Sequence, residues 1–195
     1  MAKNLEIEAK YLIDKNDYLK LVNHFKIDSY FIQTNYYFDT INYDLINHHA
    51  AMRVRLLPDN TYEATTKIPY KEGLLETNIA IDKTTFNKLL KNDNVEIKEL
   101  ENVLHNLNLS LKDLHFIASL TTKRATIPYK NGELFFDESS YLNIVDYEIE
   151  YEVNTNLEDA YNDLNTLFKQ INITSFHKGY SKIKRCIEAK NKTRE

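Results

Sequence analysis

The chain begins with a strictly alternating segment, Leu5-Glu6-Ile7-Glu8-Ala9-Lys10-Tyr11. Successive side chains of a β-strand point to opposite faces, so the apolar residues share one face and the charged residues share the other. The same alternation returns at 50–57, where Arg53 and Arg55 separate aliphatic residues, and at 144–153, where acids alternate with Ile and Tyr. Strands with one apolar face and one charged face constrain the fold more than any other feature.

This patterning predicts eight strands, joined by short turns or by amphipathic helices. The predicted strands cover 3–13, 29–38, 50–57, 61–68, 74–82, 115–128, 132–137 and 144–153. The predicted helices cover 15–26, 83–91, 97–107, 157–171 and 178–190. Glycine and proline number three each, so we expect loops that are short or built on Asn and Asp.

Eight mostly antiparallel strands with amphipathic helices predict an α+β fold, a closed eight-stranded β-barrel with its helices packed outside. The helices must cover the apolar face of the sheet, so the charged face should point into the barrel. A charged interior is costly without counter-charges. A highly charged ligand together with metal ions would therefore be its natural occupant.

Length and composition set the class of protein. With 195 residues, 43% of them hydrophobic, we expect a single domain over 1–190, followed by a frayed tail at 191–195. A net charge of -4 argues against general nucleic-acid binding. The sequence has a single cysteine, Cys186, no signal peptide pattern and no apolar run long enough to cross a membrane, which predicts a cytoplasmic protein. The oligomeric state stays open between monomer and homodimer.

The charged-face positions form two chemical sets. Carboxylates are hard ligands suited to Mg²⁺ or Mn²⁺, whereas arginine and lysine suit phosphate oxygens. Together they could hold a polyphosphate and bring a divalent metal to it. The acids are Glu6, Glu8, Glu76, Asp137, Glu148 and Glu150, with Glu152 as a further candidate. The bases are Lys10, Arg53, Arg55, Lys67 and Arg124, to which Lys178, Lys182 and Arg185 could add.

These residues carry a resemblance to a known family. Glu6-x-Glu8-x-Lys10 resembles the signature of the CYTH superfamily, the triphosphate tunnel metalloenzymes, and the chain closely resembles the bacterial, single-domain branch. The matching pieces follow in order over most of the chain: Tyr36-Tyr37-Phe38-Asp39-Thr40, Arg53-x-Arg55, Lys67, Glu76, Arg124, Asp137, Glu148-x-Glu150 and Ser181-Lys182, with Lys178 as a second candidate for the last lysine.

The resemblance implies a tunnel in which a small-molecule triphosphate is hydrolysed with Mg²⁺ or Mn²⁺. Metal binding would fall to Glu6, Glu8, Glu76, Asp137, Glu148 and Glu150. Phosphate binding would fall to Lys10, Arg53, Arg55, Lys67, Arg124, Lys182 and Lys178. Lys10, Glu148 and Glu150 are the catalytic candidates, and Lys10 would either grip phosphate or orient the attacking water.

The expected substrate is inorganic tripolyphosphate or a related triphosphate. The alternatives are thiamine or nucleoside triphosphates, a class IV-type adenylate cyclase reaction, and a non-catalytic module that binds polyphosphate or nucleotide.

Two placements are ambiguous in the sequence. Arg124 has the same strand parity as Phe116 and Leu120, so a bulge or twist is needed to bring it to the charged face. Lys123 is the alternative at this position. For Lys178 and Lys182, the exposed face of an amphipathic helix is the alternative.

Overall fold

The computed structural model describes residues 2–192. Nine strands occur in this part of the chain, and the first eight correspond to the eight predicted strands. They are β1 (Ala2–Ile13), β2 (Phe31–Asp39), β3 (Ala51–Leu56), β4 (Tyr62–Tyr70), β5 (Gly73–Ile81), β6 (His115–Tyr129), β7 (Gly132–Tyr141), β8 (Ile144–Val153) and β9 (Phe176–His177).

The strands hydrogen-bond in the order β5-β4-β3-β2-β6-β7-β8-β1-β9, and β5 also pairs with β1. This additional pairing closes the first eight strands into an antiparallel barrel, which confirms the predicted α+β fold. The ninth strand was not predicted. It pairs with Leu12 and Ile13 of β1, and its two residues are too few to show a periodicity.

Six α-helices of the described chain pack around the barrel. They are α1 (Lys15–Phe25), α2 (Asp44–Asn47), α3 (Lys83–Lys91), α4 (Lys98–His105), α5 (Leu157–Ile171) and α6 (Lys182–Lys192). The side chains of Asp14, Asp82 and Asn156 accept backbone N–H groups at the starts of α1, α3 and α5.

Asparagine takes the left-handed conformation at several loop and helix ends. Asn60, Asn92, Asn108 and Asn172 all have φ between 57° and 64°. Asn tolerates this region better than most other non-glycine residues. The prediction that loops in this glycine-poor chain are built on Asn is therefore confirmed at these positions.

The chain divides into two compact units. The first holds residues 34–120 together with the chain ends, up to Leu5 and from Lys182 onward, and the second holds 6–33 and 121–181. The expectation of a single domain over 1–190 stays a prediction. Each unit has its own apolar core.

In the first unit, α3 and α4 cover one face of β3 and β4. The buried core residues include Met52, Val54 and Ala64 from the strands and Phe86, Leu89, Leu100 and Leu104 from the helices. Arg53 and Arg55, which alternate with Met52 and Val54, lie on the opposite face. The prediction that helices cover the apolar face is confirmed here.

In the second unit, α1 and α5 cover β1, β7 and β8. Tyr11 of β1 packs against Tyr161 and Phe168 of α5, with ring centroids 5.4 and 5.6 Å apart. Ile149 and Tyr151 of β8 belong to the same core and are fully buried. Because the acids of β8 alternate with these residues, they point to the inner face of the barrel, as predicted.

The C-terminal segment differs from the prediction. The last helix, predicted to begin at residue 178, begins at Lys182. Gly179 passes so close to β1 that an added Cβ would lie 2.5 Å from Leu12 Cδ1, so the segment before the helix is shaped by tertiary contact. Of the predicted tail, 191 and 192 are helical, and 193–195 lie outside the described residues.

Candidate active site

Three buried carboxylates of the second unit converge on one another. Asp137 of β7 and Glu148 of β8 stand opposite each other in the ladder, and Glu150 follows two residues later on the same face. One oxygen from each of the three lies within 4.8 Å of the others. The residues are 0%, 1% and 7% exposed respectively, so this is an acid cluster shielded from bulk water.

Arg124 of β6 binds the same carboxylates. Its Nε donates to Asp137 Oδ1 at 2.6 Å and its Nη2 donates to Asp137 Oδ2 at 2.5 Å, which is a bidentate pair. Nη2 also donates to Glu150 Oε2 at 2.5 Å. Burial by itself would lower the pKa of this guanidinium, but the charges of Asp137 and Glu150 outweigh it and raise the pKa well above its ordinary value.

The ambiguity at this position of β6 is resolved by the contacts on its two faces. Phe116 packs beside Phe38 with ring centroids 6.1 Å apart, on the helix-covered side, although it shares strand parity with Arg124. Alternation is therefore interrupted between residues 116 and 124, as the predicted bulge or twist requires. Lys123, the alternative, has its ammonium 4.4 Å from the centre of the Tyr30 ring, away from the acid cluster.

Strand β1 brings further charged residues to this face. Lys10 stands opposite Glu150 in the β1–β8 ladder, and Glu8 stands opposite Glu152. The Lys10 ammonium donates to Glu8. Their side chains are 23% and 13% exposed, so both are partly shielded. Glu6 is half-buried and has the same strand parity.

The first unit carries a separate basic cluster. Lys67 Nζ lies 2.7 Å from Glu76 Oε1, and Arg53 Nη2 lies 3.6 Å from the same oxygen. Arg55 Nε donates to Asn35 Oδ1 at 3.0 Å, which fixes its orientation. Lys67 and Arg53 contact Glu76, and Arg55 stands opposite Glu63 in the ladder, so three cations against two acids leave a net positive charge, which is suited to an anionic ligand.

Glu76, a predicted metal ligand, lies among these cations. Burial by itself would raise the pKa of its carboxyl, but the charges of Lys67 and Arg53 outweigh it and lower the pKa to about 2. A carboxylate held this way acts as a counter-ion that positions the two cations. The structure thus places Glu76 in the basic cluster of the first unit, whereas Asp137, Glu148 and Glu150 form the acid cluster of the second.

The two C-terminal lysines have different surroundings. Lys178 is exposed, and its ammonium lies 3.9 Å from the centre of the Tyr161 ring of α5, a helix on the outside of the barrel. Lys182 begins α6 and is half-buried. Arg185, one turn further along, is 7% exposed. The structure therefore separates Lys178 from the charged inner face.

Sequence reasoning missed the uncharged polar residues on the charged face. Asn35 and Thr65 are 1% and 0% exposed, and Asn78 is half-buried beside Glu76. Thr65 lies between Glu63 and Lys67 in the alternation of β4, so its parity was available as a signal. Thr and Asn are common on ordinary solvated strands, and their residue type did not mark them out.

The acid cluster and the basic cluster offer complementary chemistry. The first provides carboxylate oxygens, the donor type that Mg²⁺ and Mn²⁺ prefer, and the second provides N–H donors for phosphate oxygens.

Across residues 2–192, none of the helices combines the length and the hydropathy needed to span a bilayer.

A closed barrel with this charged inner face is the fold that the resemblance to the CYTH superfamily implies. The family model of the CYTH domain matches residues 4–186, and the chain belongs to this family. The predicted resemblance is therefore confirmed.

Individual relatives agree with this assignment. The chain is 32% identical over 154 residues to a Bacillus subtilis (strain 168) protein named "Putative triphosphatase YjbK", covering 78% of this chain and 79% of that protein. A crystal structure from Bacillus halodurans, described as "a putative adenylate cyclase", superposes with a TM-score of 0.86 at 34% identity, covering 95% of this chain and 98% of the other.

A more distant solved structure, HpAC1 from Hippeastrum, superposes with a TM-score of 0.76 at 22% identity and covers 95% of this chain and 96% of that one. It is described as an adenylyl cyclase candidate with a dominant triphosphatase activity. At this identity the similarity shows the fold alone.

Proposed function

We propose that this chain is a divalent-metal-dependent triphosphatase that removes the terminal phosphate of inorganic tripolyphosphate or a related small-molecule triphosphate, in the cytoplasm. The observation that carries the proposal is the acid cluster of Asp137, Glu148 and Glu150 in a chain of the CYTH family. The 32% identical relative named "Putative triphosphatase YjbK" supports hydrolysis.

The donor set of the acid cluster fits Mg²⁺ or Mn²⁺. All three groups are carboxylates whose oxygens lie close enough to converge on one ion, and hard cations prefer such oxygen ligands. When bound, the ion would neutralise phosphoryl oxygens and lower the pKa of a coordinated water. Glu6 and Glu8 are further candidate ligands from β1.

The basic residues would hold the substrate. We assign phosphate binding to Arg53, Arg55 and Lys67, whose orientations are set by Glu76 and Asn35. Guanidinium groups match pairs of phosphoryl oxygens, and the lysine ammonium supplies a point charge.

Five further residues keep the roles expected from the family. Lys10 would bind a phosphoryl oxygen or orient the attacking water, with Glu8 holding its ammonium in place. Glu148 and Glu150 would act in catalysis through the site they form. Arg124 would bind phosphate while remaining beside the carboxylates that it neutralises in the structure, and Lys182 would contribute from α6.

Adenylate cyclase activity is the second candidate, and the 34% identical structure described as "a putative adenylate cyclase" favours keeping it. The same residues could hold the triphosphate of ATP while the ribose 3′-hydroxyl, instead of water, attacks the α-phosphorus and displaces pyrophosphate. A non-catalytic binding module would need acids that fail to hold metal.

The test is a phosphate-release panel with the purified chain. Tripolyphosphate, thiamine triphosphate, ATP and GTP are each incubated with Mg²⁺, with Mn²⁺ and with EDTA, and orthophosphate and cyclic AMP are measured. We expect orthophosphate from tripolyphosphate that depends on the metal. Cyclic AMP from ATP would support the cyclase, and release from none of the four would support the binding module.

A further inference from the structure

Three polar side chains of the first unit form one row across neighbouring strands. Arg53 of β3 stands opposite Thr65 of β4, and Thr65 stands opposite Asn78 of β5. Each carries a buried polar atom without a hydrogen-bond partner: Arg53 Nε, Thr65 Oγ1 and Asn78 Oδ1. The row lies on the charged face, since the alternating residues Val54 and Ala64 belong to the apolar core.

The coincidence of three such atoms in one row points to a ligand. Buried polar groups in folded proteins nearly always have a partner, and the exceptions call for an explanation. Thr65 is 0% exposed, so bulk water does not solvate its hydroxyl. Arg53 is 15% exposed at its side chain, which leaves the row open to a small ligand.

The contacts that Asn78 and Arg53 make with Glu76 determine which of their atoms face the ligand. Asn78 Nδ2 donates to Glu76 Oε2 at 3.2 Å, and because an ionised carboxylate can only accept, the amide oxygen is left for a donor. Glu76 also holds Arg53 through Nη2, so Nε is left to donate elsewhere. The row therefore offers a donor, a hydroxyl that can donate, and an acceptor, in that order.

We propose that Arg53, Thr65 and Asn78 form a subsite for the terminal phosphoryl group of the substrate. Arg53 Nε and the Thr65 hydroxyl donate to phosphoryl oxygens, and Asn78 Oδ1 accepts the hydrogen of a P–OH. A terminal phosphate has a second pKa near 6 and carries that hydrogen part of the time, whereas an internal phosphate does not. The inference rests on the proposed function, because the triphosphate supplies this group.

The decisive variant is Thr65→Val, which removes the hydroxyl and keeps the shape of the side chain. In the ligand-free protein the hydroxyl has no partner, so its loss should raise the melting temperature by about 2–4 °C. In the complex the hydroxyl donates to an anion, so affinity for tripolyphosphate should fall about tenfold to a hundredfold. Affinity is measured by calorimetry in EDTA, where no turnover occurs.

Thr66→Val is the matched control. Thr66 is also fully buried with an unpartnered hydroxyl, but it lies between Met52 and Thr77 on the helix-covered face. We expect its melting temperature to rise while the affinity for tripolyphosphate stays within twofold of the wild type. Thr65→Ser keeps the hydroxyl and should keep most of the affinity, and Thr65→Ala replaces the valine variant if that variant does not fold.

A threonine with a purely structural role, or one whose hydroxyl binds only water, would not give both a higher melting temperature and a lower affinity for tripolyphosphate when it is changed to valine. A Thr65→Val protein that melts lower and binds tripolyphosphate as tightly as the wild type would overturn the subsite and leave the proposed function standing, provided that the wild type still releases phosphate. A wild type that neither binds nor cleaves tripolyphosphate would overturn both.

Discussion

Arg124 and Asp137 form a bidentate ion pair directly across the β6–β7 ladder, with two N–H···O contacts of 2.6 and 2.5 Å. Asp137 is 0% exposed, and the same guanidinium also binds Glu150. A buried carboxylate is strongly unfavourable without such a partner. The pair therefore neutralises part of the acid cluster in the protein as it stands.

Removing this cation should destabilise the fold. Arg124→Ala leaves Asp137 and Glu150 without their guanidinium donor, and breaking a buried ion pair costs about 3–5 kcal/mol. Urea unfolding monitored by circular dichroism gives the change in free energy. Lys123→Ala is the matched control, because Lys123 contacts Tyr30 on the other face and should contribute no more than about 1 kcal/mol. Equal losses of unfolding free energy in the two variants would contradict a buried ion pair at Arg124.

Glu148→Gln tests the assignment of the acid cluster to metal binding. The substitution keeps the shape of a residue that is 1% exposed but removes one hard oxygen ligand. We expect turnover of the triphosphate to fall about a hundredfold or more while the triphosphate still binds, because the basic cluster is unchanged.

The control for this variant is Glu138→Gln, which neutralises a carboxylate on the opposite face, where Glu138 pairs with Lys123 and Tyr147 in the β6–β7–β8 ladder. Its turnover should stay close to that of the wild type. Full activity in Glu148→Gln would remove Glu148 from the site.

Arg53→Ala should weaken triphosphate binding strongly. The guanidinium is largely buried, and truncating one partner of a buried, hydrogen-bonded charge pair costs about 2–5 kcal/mol of binding free energy. Calorimetric titration in EDTA measures the affinity without turnover. Lys71→Ala, in the exposed β4–β5 turn, removes a cation of the same unit and should change affinity little. Unchanged affinity in Arg53→Ala would count against phosphate binding by the basic cluster.

The lowered pKa of Glu76 gives a pH dependence of stability. The pKa of Glu76 falls from an ordinary value of 4.5 to about 2 in the folded protein. Its contribution to the free energy of unfolding is therefore present above pH 4.5 and is lost as the pH falls through about 2. The difference in unfolding free energy between wild type and Glu76→Gln should therefore be largest near pH 6, at most about 3 kcal/mol, and shrink from about pH 5 downward.

Urea midpoints at pH 6, 5, 4 and 3 measure this difference. Glu72→Gln, at the exposed β4–β5 turn, serves as the control, because its difference from the wild type should stay flat over the same range. A difference in unfolding free energy between wild type and Glu76→Gln that widens toward low pH would show that Glu76 is not held ionised by Lys67 and Arg53.

Alternation made most of the barrel predictable. Charged residues at every second position fixed the faces of β1, β3 and β8, because a strand has a period of two and helices must cover an apolar surface. The helix-facing residues Val54 and Ile149 and the inner acids Glu148 and Glu150 were assigned correctly to their faces from this pattern.

What the sequence did not predict depends on tertiary contacts. α6 begins at Lys182, and Gly179 in the segment before it lies against Leu12, a tertiary contact that local propensity does not encode. The pairing of Arg124 with acids and of Glu76 with cations comes from ladder register, since Arg124 falls opposite Asp137 and Lys67 falls opposite Glu76. The buried hydroxyl of Thr65 carried no charge to mark it.

Binding of the catalytic metal is the role we propose for the acid cluster. The most direct measurement is an anomalous difference map from a crystal of the wild-type protein grown with Mn²⁺. We expect a peak within about 2.5 Å of carboxylate oxygens from Asp137, Glu148 and Glu150. A Mn²⁺ peak located away from these three residues, with Arg124 still the partner of Asp137 and Glu150, would contradict it.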